Sequence, residues 1–197
     1  FFFFLIGMIT IHFDWDTAAH FVLILSFVVL NAIFNSKYLL PKKFERKKEA
    51  QNTKFKPDHV LIQLGIIGFF SMATEGAMFD WSGIYFQEIV KAPVSLVVLG
   101  YTAFMIMMAT GRFIGDYLIT KLGNKKVLLV SGMLMFLGMI TSVIFPYVIP
   151  STIGFMLVGL GVACCVPTVF SMAGRHSTIP PGVAIALVSS ISYLGFL

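Results

Sequence analysis

"VLLVSGMLMFLGMITSVIFPYVIPSTIGFMLVGLGVACCVPTVFSMAG", residues 127–174, runs for 48 positions without an aspartate, glutamate, lysine or arginine. A helix that crosses the hydrocarbon core of a bilayer needs about 20 apolar residues at ~1.5 Å of rise each. A run of this length therefore crosses twice. The break falls in "FPYVIPST" (145–152), where Pro146 and Pro150 interrupt helix hydrogen bonding and Tyr147 suits the headgroup level.

Composition agrees along the rest of the chain. Its 197 residues are 58% hydrophobic and 12% charged and include 21 Phe and 11 Met, with a mean hydropathy of +0.92. That leaves too little polar surface to cover such a core in water. Seven apolar segments follow: 1–12, 17–36, 59–79, 94–114, 127–145, 152–173 and 182–197. Lipid tolerates only helices or closed barrels, and none of these runs alternates apolar with polar residues as a barrel strand does. The fold class is an all-α, polytopic transmembrane helical bundle. "FFFFLIGMITIHF" (1–13) has no Met start and no basic flank, so it reads as mid-protein sequence and not as a signal peptide.

Lys and Arg set the topology. If the segments alternate in direction, 13 of the 14 basic residues fall on one side: eight from Lys37 to Lys56, then Arg112, Lys121, Lys125, Lys126 and Arg175. By the positive-inside rule that side is cytoplasmic, including 37–58 and 115–126, while "HFDWDT" (12–17) and "DWSGIYFQEIVKAP" (80–93) face out. The net charge of +5 is thus a matter of topology, and no nucleic-acid partner is implied. The stretch 37–58 is a cytoplasmic basic linker between 1–36 and 59–197, with anionic lipid as a secondary possibility.

"GRFIGDYLITKLGNKK" (111–126), following a long central linker, resembles the loop signature of the major facilitator superfamily. "EGAMFDWSGIYF" (75–86), "GYTAFMIMMATGRFIGD" (100–116) and "PPGVAIALVSSISYLGFL" (180–197) resemble helices seven, eight and eleven of bacterial permeases near its fucose-permease-like branch. The resemblance implies an incomplete bundle, about seven segments of an expected twelve: 1–36 as helices five and six, 37–58 as the linker, and 59–197 as helices seven to eleven. It further implies a bacterial inner-membrane location, and that the remaining helices of the full-length chain are partners of this one. A conformational latch is implied around Asp116, which would face a partner helix. Its residues are Gly111, Arg112, Gly115, Asp116, Lys121, Gly123, Lys125 and Lys126. Spacing places Gly111 and Gly115 on one helix face for close backbone approach, and Arg112 four residues from Asp116, where a surface pair is worth only ~0.2–0.5 kcal/mol.

Glu75 is the one carboxylate well inside an apolar segment, sixteen residues from His59 and so ~24 Å along the helix, in the outer half. Burying an ionisable group there costs about 2.5 kcal/mol or more, and such groups usually face a partner or a water-filled cavity. Surroundings that favour the neutral acid suit proton exchange. Asp80, Trp81 and Tyr85 mark the outer interface; an aromatic ring beside carboxylates also suits a sugar or polyol. Asn31, Tyr101 and Tyr193, with Gln63, Thr74 and Ser189, are further polar candidates.

Adjacent Cys164 and Cys165 read as small core residues, with no metal site or cofactor implied. His12, His20, His59 and His176 lie near segment ends. No catalytic motif is present, so an enzyme is not expected. The function indicated is a secondary transporter of a small polar solute, a sugar in the leading reading, with proton coupling. The alternatives are a drug or metabolite efflux permease and, less favoured, a membrane sensor or enzyme. In full-length protein lacking Cys164 and Cys165, single cysteines at Ala50 and Asn124 are expected to label from the cytoplasm only, and one at Val90 from outside only; labelling of 50 and 124 from opposite faces would overturn the topology.

Overall fold

The computed structural model of the chain describes residues 17–39, 58–175 and 179–197. Segment 1–12, the outer loop around Asp14, residues 40–57 of the basic linker, His12, His176 and the side chain of His20 lie outside the described residues. Helices α1 (Thr17–Leu39), α2 (His59–Ile84), α3 (Leu99–Leu122), α4 (Asn124–Ile144), α5 (Val148–Gly174) and α6 (Pro181–Leu194) account for nearly all of the rest, and no strand occurs among the described residues. A π-helical turn, Tyr85–Ile89, prolongs α2, and a 3₁₀ turn, Val94–Leu96, precedes α3. The chain divides into two compact units, Phe1–Lys54 and Phe55–Leu197; α1 belongs to the first and α2–α6 to the second.

Four helical stretches among the described residues are long and apolar enough to cross a membrane: His59–Ile89, Val94–Leu122, Asn124–Ile144 and Val148–Gly174. The apolar parts of α1 and α6, Phe21–Asn35 and Pro181–Leu194, are shorter. Together with the relatives described below, these spans make the chain a multi-pass integral membrane protein with an all-α bundle.

Several boundaries differ from the sequence expectation. The helix that starts at His59 was expected to end near residue 79; it continues to Ile89 because the lone Gly83 does not break a run that includes Ile84, Tyr85 and Phe86. The chain leaves it at Lys91, whose φ of 53° is left-handed and cannot continue a right-handed helix. Of the two prolines at the 145–152 break, Pro146 lies between the helices, whereas Pro150 occupies the first turn of α5, where its missing N–H has no intrahelical partner to lose. Residues 115–122, expected in a loop, are helical to Leu122, and only Gly123 separates α3 from α4. Its φ of 80° is the left-handed value that glycine adopts without cost.

The core of the second unit is built around α5, which packs against α2, α3, α4 and α6. Small residues make this possible. A Cβ at Gly159 would lie 2.5 Å from the Phe104 carbonyl oxygen of α3, and one at Gly161 would lie 2.6 Å from that of Ser131 on α4. Backbones thus meet directly on two sides of α5, as membrane helices do when packing replaces the hydrophobic effect. Ser131, Ser142, Ser151, Thr168 and Ser192 are buried among them, while Phe113, Phe136 and Ile149 are mostly exposed on the outside. That reversal of the soluble pattern suits a lipid-facing surface.

Tyr85 ties the outer ends together. Its hydroxyl donates to the Ser142 carbonyl at 2.6 Å and lies 3.2 Å from Ser151 Oγ, joining the π-helical turn to α4 and α5. Its ring lies against Phe155 and Phe86. Tyr85→Phe is expected to keep the ring packing and lower stability by about 1 kcal/mol, read as a reduced thermal midpoint of the full-length protein; an unchanged midpoint would show that the bond is not formed.

Candidate functional site

Helices α2, α3, α5 and α6 line a half-open cavity of about 260 Å³ whose lining includes Glu75, Arg112 and Tyr193. Glu75 lies on the packed side of α2, in line with buried Ser71, Met72 and Gly76. The chain just past α6 packs beside it, the backbone carbonyl of Phe196 lying 3.2 Å from where a Cβ on Gly76 would be. The α5 wall of the cavity is apolar: Val162, Val166, Pro167 and Phe170. Pro167 stands inside α5 and contributes no N–H to its ladder, an interruption tolerated in membrane helices whose neighbours support the backbone.

Arg112 Nη2 donates to Glu75 Oε1 at 3.5 Å and lies 3.7 Å from Met108 Sδ. The carboxylate is only 12% exposed, the arginine side chain 56%. The pair is therefore asymmetric, with the negative group held inside and the positive group at the mouth. Spacing alone offered Asp116 as the partner of Arg112; the structure pairs Arg112 with Glu75 instead. Packing of α2 and α3 against α5 brings Glu75 Oε1 within reach of the guanidinium. Asp116 is exposed and makes no ion pair with another described residue.

The other sequence candidates lie elsewhere. Trp81 is six residues, about 240° of helix turn, from Glu75. Trp81 and Tyr85 line a separate apolar cleft of about 210 Å³ with Met139, Ser142 and Phe155. Asp80 is exposed. Tyr101 packs its ring 6.1 Å from Phe79. Thr74 and Ser189 donate their hydroxyls to carbonyls of their own helices, Phe70 and Ala186, and Gln63 is exposed. Asn31 belongs to the first unit, where its amide donates to Phe27 O at 3.4 Å and its carbonyl accepts from Asn35.

Of the latch residues, Gly111 and Gly115 share a buried face of α3 against α5. A Cβ at Gly111 would lie 2.7 Å from Ala163 Cβ, and one at Gly115 would lie 3.4 Å from Cys164 Sγ. The Cys164 thiol donates to Gly111 O at 3.6 Å. Lys121 Nζ stands 5.7 Å from the Tyr117 ring centroid, and Lys125 and Lys126 occupy the exposed first turn of α4. Both cysteines are free and buried, and no cluster of metal-ligating side chains occurs among the described residues.

The pairing of Arg112 with Glu75 was missed at the level of sequence. A signal was present: Arg112 lies ten residues before Leu122, ~15 Å along α3, too deep for a residue that only marks a membrane face. Tyr193 was a candidate only by polarity, and its place beside the pair follows from the packing of α6 on α2.

Residues 1–197 match the family model described as Major Facilitator Superfamily. The chain is 36% identical over 137 residues to "Membrane protein MosC" of Rhizobium meliloti, covering 70% of this chain and 34% of that protein. It is 34% identical over 134 residues to an uncharacterized MFS-type transporter of Yersinia pestis, covering 68% and 35%. An uncharacterized transporter of Sinorhizobium fredii is 33% identical over 137 residues, covering 70% and 36%. The matched region is thus about a third of the length of these relatives. No solved structure matches the chain.

The asymmetry of the pair has a measurable consequence. Arg112→Gln strands a buried carboxylate, whereas Glu75→Gln strands a cation already at the mouth, so the first is expected to lower the thermal midpoint more. In a double-mutant cycle the two positions should couple by about 0.6 kcal/mol or more. Additive effects would show that they do not interact.

Proposed function

Because the chain belongs to the major facilitator superfamily of membrane transporters, we propose that it forms part of a secondary active transporter that moves a small polar solute, a sugar in the leading reading, by alternating access coupled to protons. The supporting observation is the Glu75–Arg112 pair on a cavity between membrane-spanning helices. Ionisable groups at such depth are expensive and mark solute or proton paths. Glu75 is the proton carrier, and its contact with Arg112 is made in one conformation and broken in the other. Residues 59–197 act as the C-terminal half of the transporter and 1–36 as the end of the N-terminal half, joined by the cytoplasmic linker 37–58. The cavity beside Glu75 is the part of the solute site that residues 59–197 supply.

Asp116, Lys121, Lys125 and Lys126 stand where α3 meets α4, the position of a latch made in one conformation and broken in the other. Such contacts act through the difference they make between states. Gly111 and Gly115 keep α3 close to α5, so that movement of one carries the other. A second reading, efflux of apolar compounds, is favoured by the cleft beneath Trp81, whose lining is almost wholly apolar.

Glu75→Gln mimics the protonated acid and discriminates among these readings. In proteoliposomes carrying the full-length protein, the variant is expected to retain exchange of labelled solute while losing accumulation driven by a pH gradient. Accumulation with unchanged pH dependence would exclude Glu75 as the carrier. Equal loss of every transport mode with lowered thermal stability would make its role structural.

A further inference from the structure

Arg112 has more hydrogen-bonding capacity than the described residues around it use. A guanidinium carries five N–H donors in a rigid plane. Here one nitrogen meets a single Glu75 oxygen at 3.5 Å and Met108 Sδ at 3.7 Å, and the side chain is more than half exposed. A committed arginine–carboxylate pair is bidentate, at about 2.7–2.9 Å. Glu75 therefore anchors the guanidinium without filling its fork. The fork stands at the mouth of the cavity, with exposed Tyr193 on the same lining and an apolar wall from α5 opposite.

Resting on the reading of this cavity as a solute site, we propose that Arg112 is the recognition group for a carboxylate on the solute, with the Tyr193 hydroxyl as a second polar contact. A planar carboxylate matches the planar fork in a way that a hydroxyl cannot. The charge inventory favours a monoanion over a phosphate. Arg112 from α3 is the one cation in the cavity lining among the described residues, Glu75 from α2 opposes it, Tyr193 from α6 is neutral, and α5 brings no titratable group.

Glu75 and the solute then compete for one guanidinium. With the pair intact the site is neutral; a carboxylate that displaces Glu75 leaves two negative charges against one positive. Charge balance is restored when Glu75 takes a proton from the aqueous phase, so arrival of the anion and of the proton are linked. The competition also predicts that neutralising Glu75 strengthens carboxylate binding, whereas a merely structural Glu75 would weaken it.

The test uses purified full-length protein and two matched probe pairs, D-gluconate with D-glucitol and D-glucuronate with D-glucose, each differing by a carboxylate. Binding is read by calorimetry and by thermal midpoint. At least one carboxylate is expected to bind about tenfold or more tighter than its neutral partner. Arg112→Gln should abolish the difference and Arg112→Lys should keep part of it. Glu75→Gln should tighten carboxylate binding roughly threefold, by removal of a weak competing pair. If Arg112→Gln does not fold, the double variant Glu75→Gln/Arg112→Gln, which strands no charge, takes its place. Equal binding of charged and neutral partners, no stabilisation by either carboxylate, unchanged gluconate binding in Arg112→Gln, or weaker binding in Glu75→Gln would each overturn the proposal. Uptake of glucitol or glucose into proteoliposomes without preference for the acids would sink it while leaving the transporter reading intact. Carboxylate binding without uptake of any probe would do the reverse.

Discussion

In a bilayer there is no water to satisfy a backbone amide, so each spanning segment must close its own hydrogen bonds before it meets another. Once helices are formed, lipid competes with protein for every apolar side chain, and association depends on how closely backbones can approach. Helix α5 answers that constraint. Gly159 and Gly161 admit the carbonyls of α3 and α4, and the buried hydroxyls of Ser142, Thr168 and Ser192 bond within their own helices, Thr168 to Cys164 O at 2.6 Å. A bulky residue at either glycine would push a whole neighbouring helix away, and the cavity walls with it.

The site depends on that packing. Glu75 and Arg112 lie 37 positions apart in the chain, on helices that contact each other little compared with the contact each makes with α5. Gly111 and Gly115 hold α3 against α5 one turn at a time, and Arg112 lies between them in sequence, directed away from that interface toward the buried carboxylate. On α2, Gly76 keeps the end of α6 near and so brings Tyr193 to the same lining. A movement of α3 relative to α2 would change the distance between the charges without breaking either helix. The few polar groups buried among these helices therefore depend for their arrangement on backbone contacts made elsewhere in the bundle.

Much was legible in the chain itself, for reasons that act locally. The 48 uncharged residues at 127–174 required two crossings because bilayer thickness is a length that counting residues can meet. Glu75 stood out because a carboxylate within an apolar run has no inexpensive explanation. Helix ends were less legible: the continuation of α2 through Tyr85–Ile89 and of α3 to Leu122 was set by tertiary support, which lets a helix outlast the apolar run that signals it.

Tertiary structure alone decided which candidates share a cavity. Trp81 and Tyr85 are near Glu75 in sequence and line a different cleft, while Arg112 and Tyr193 are remote and share its cavity, Arg112 in direct contact. Periodicity places a residue on a face of its own helix, but which neighbour covers that face depends on the angle and depth at which two helices pack. Those are set by small residues on a third helix, α5, that carry no chemistry of their own. The sequence by itself determined the solvent, the crossings and the residue too costly to bury without purpose. The partner of that residue was decided by backbone contacts at glycines more than 80 positions further along the chain, because close packing is a property of surfaces brought together and of no single segment.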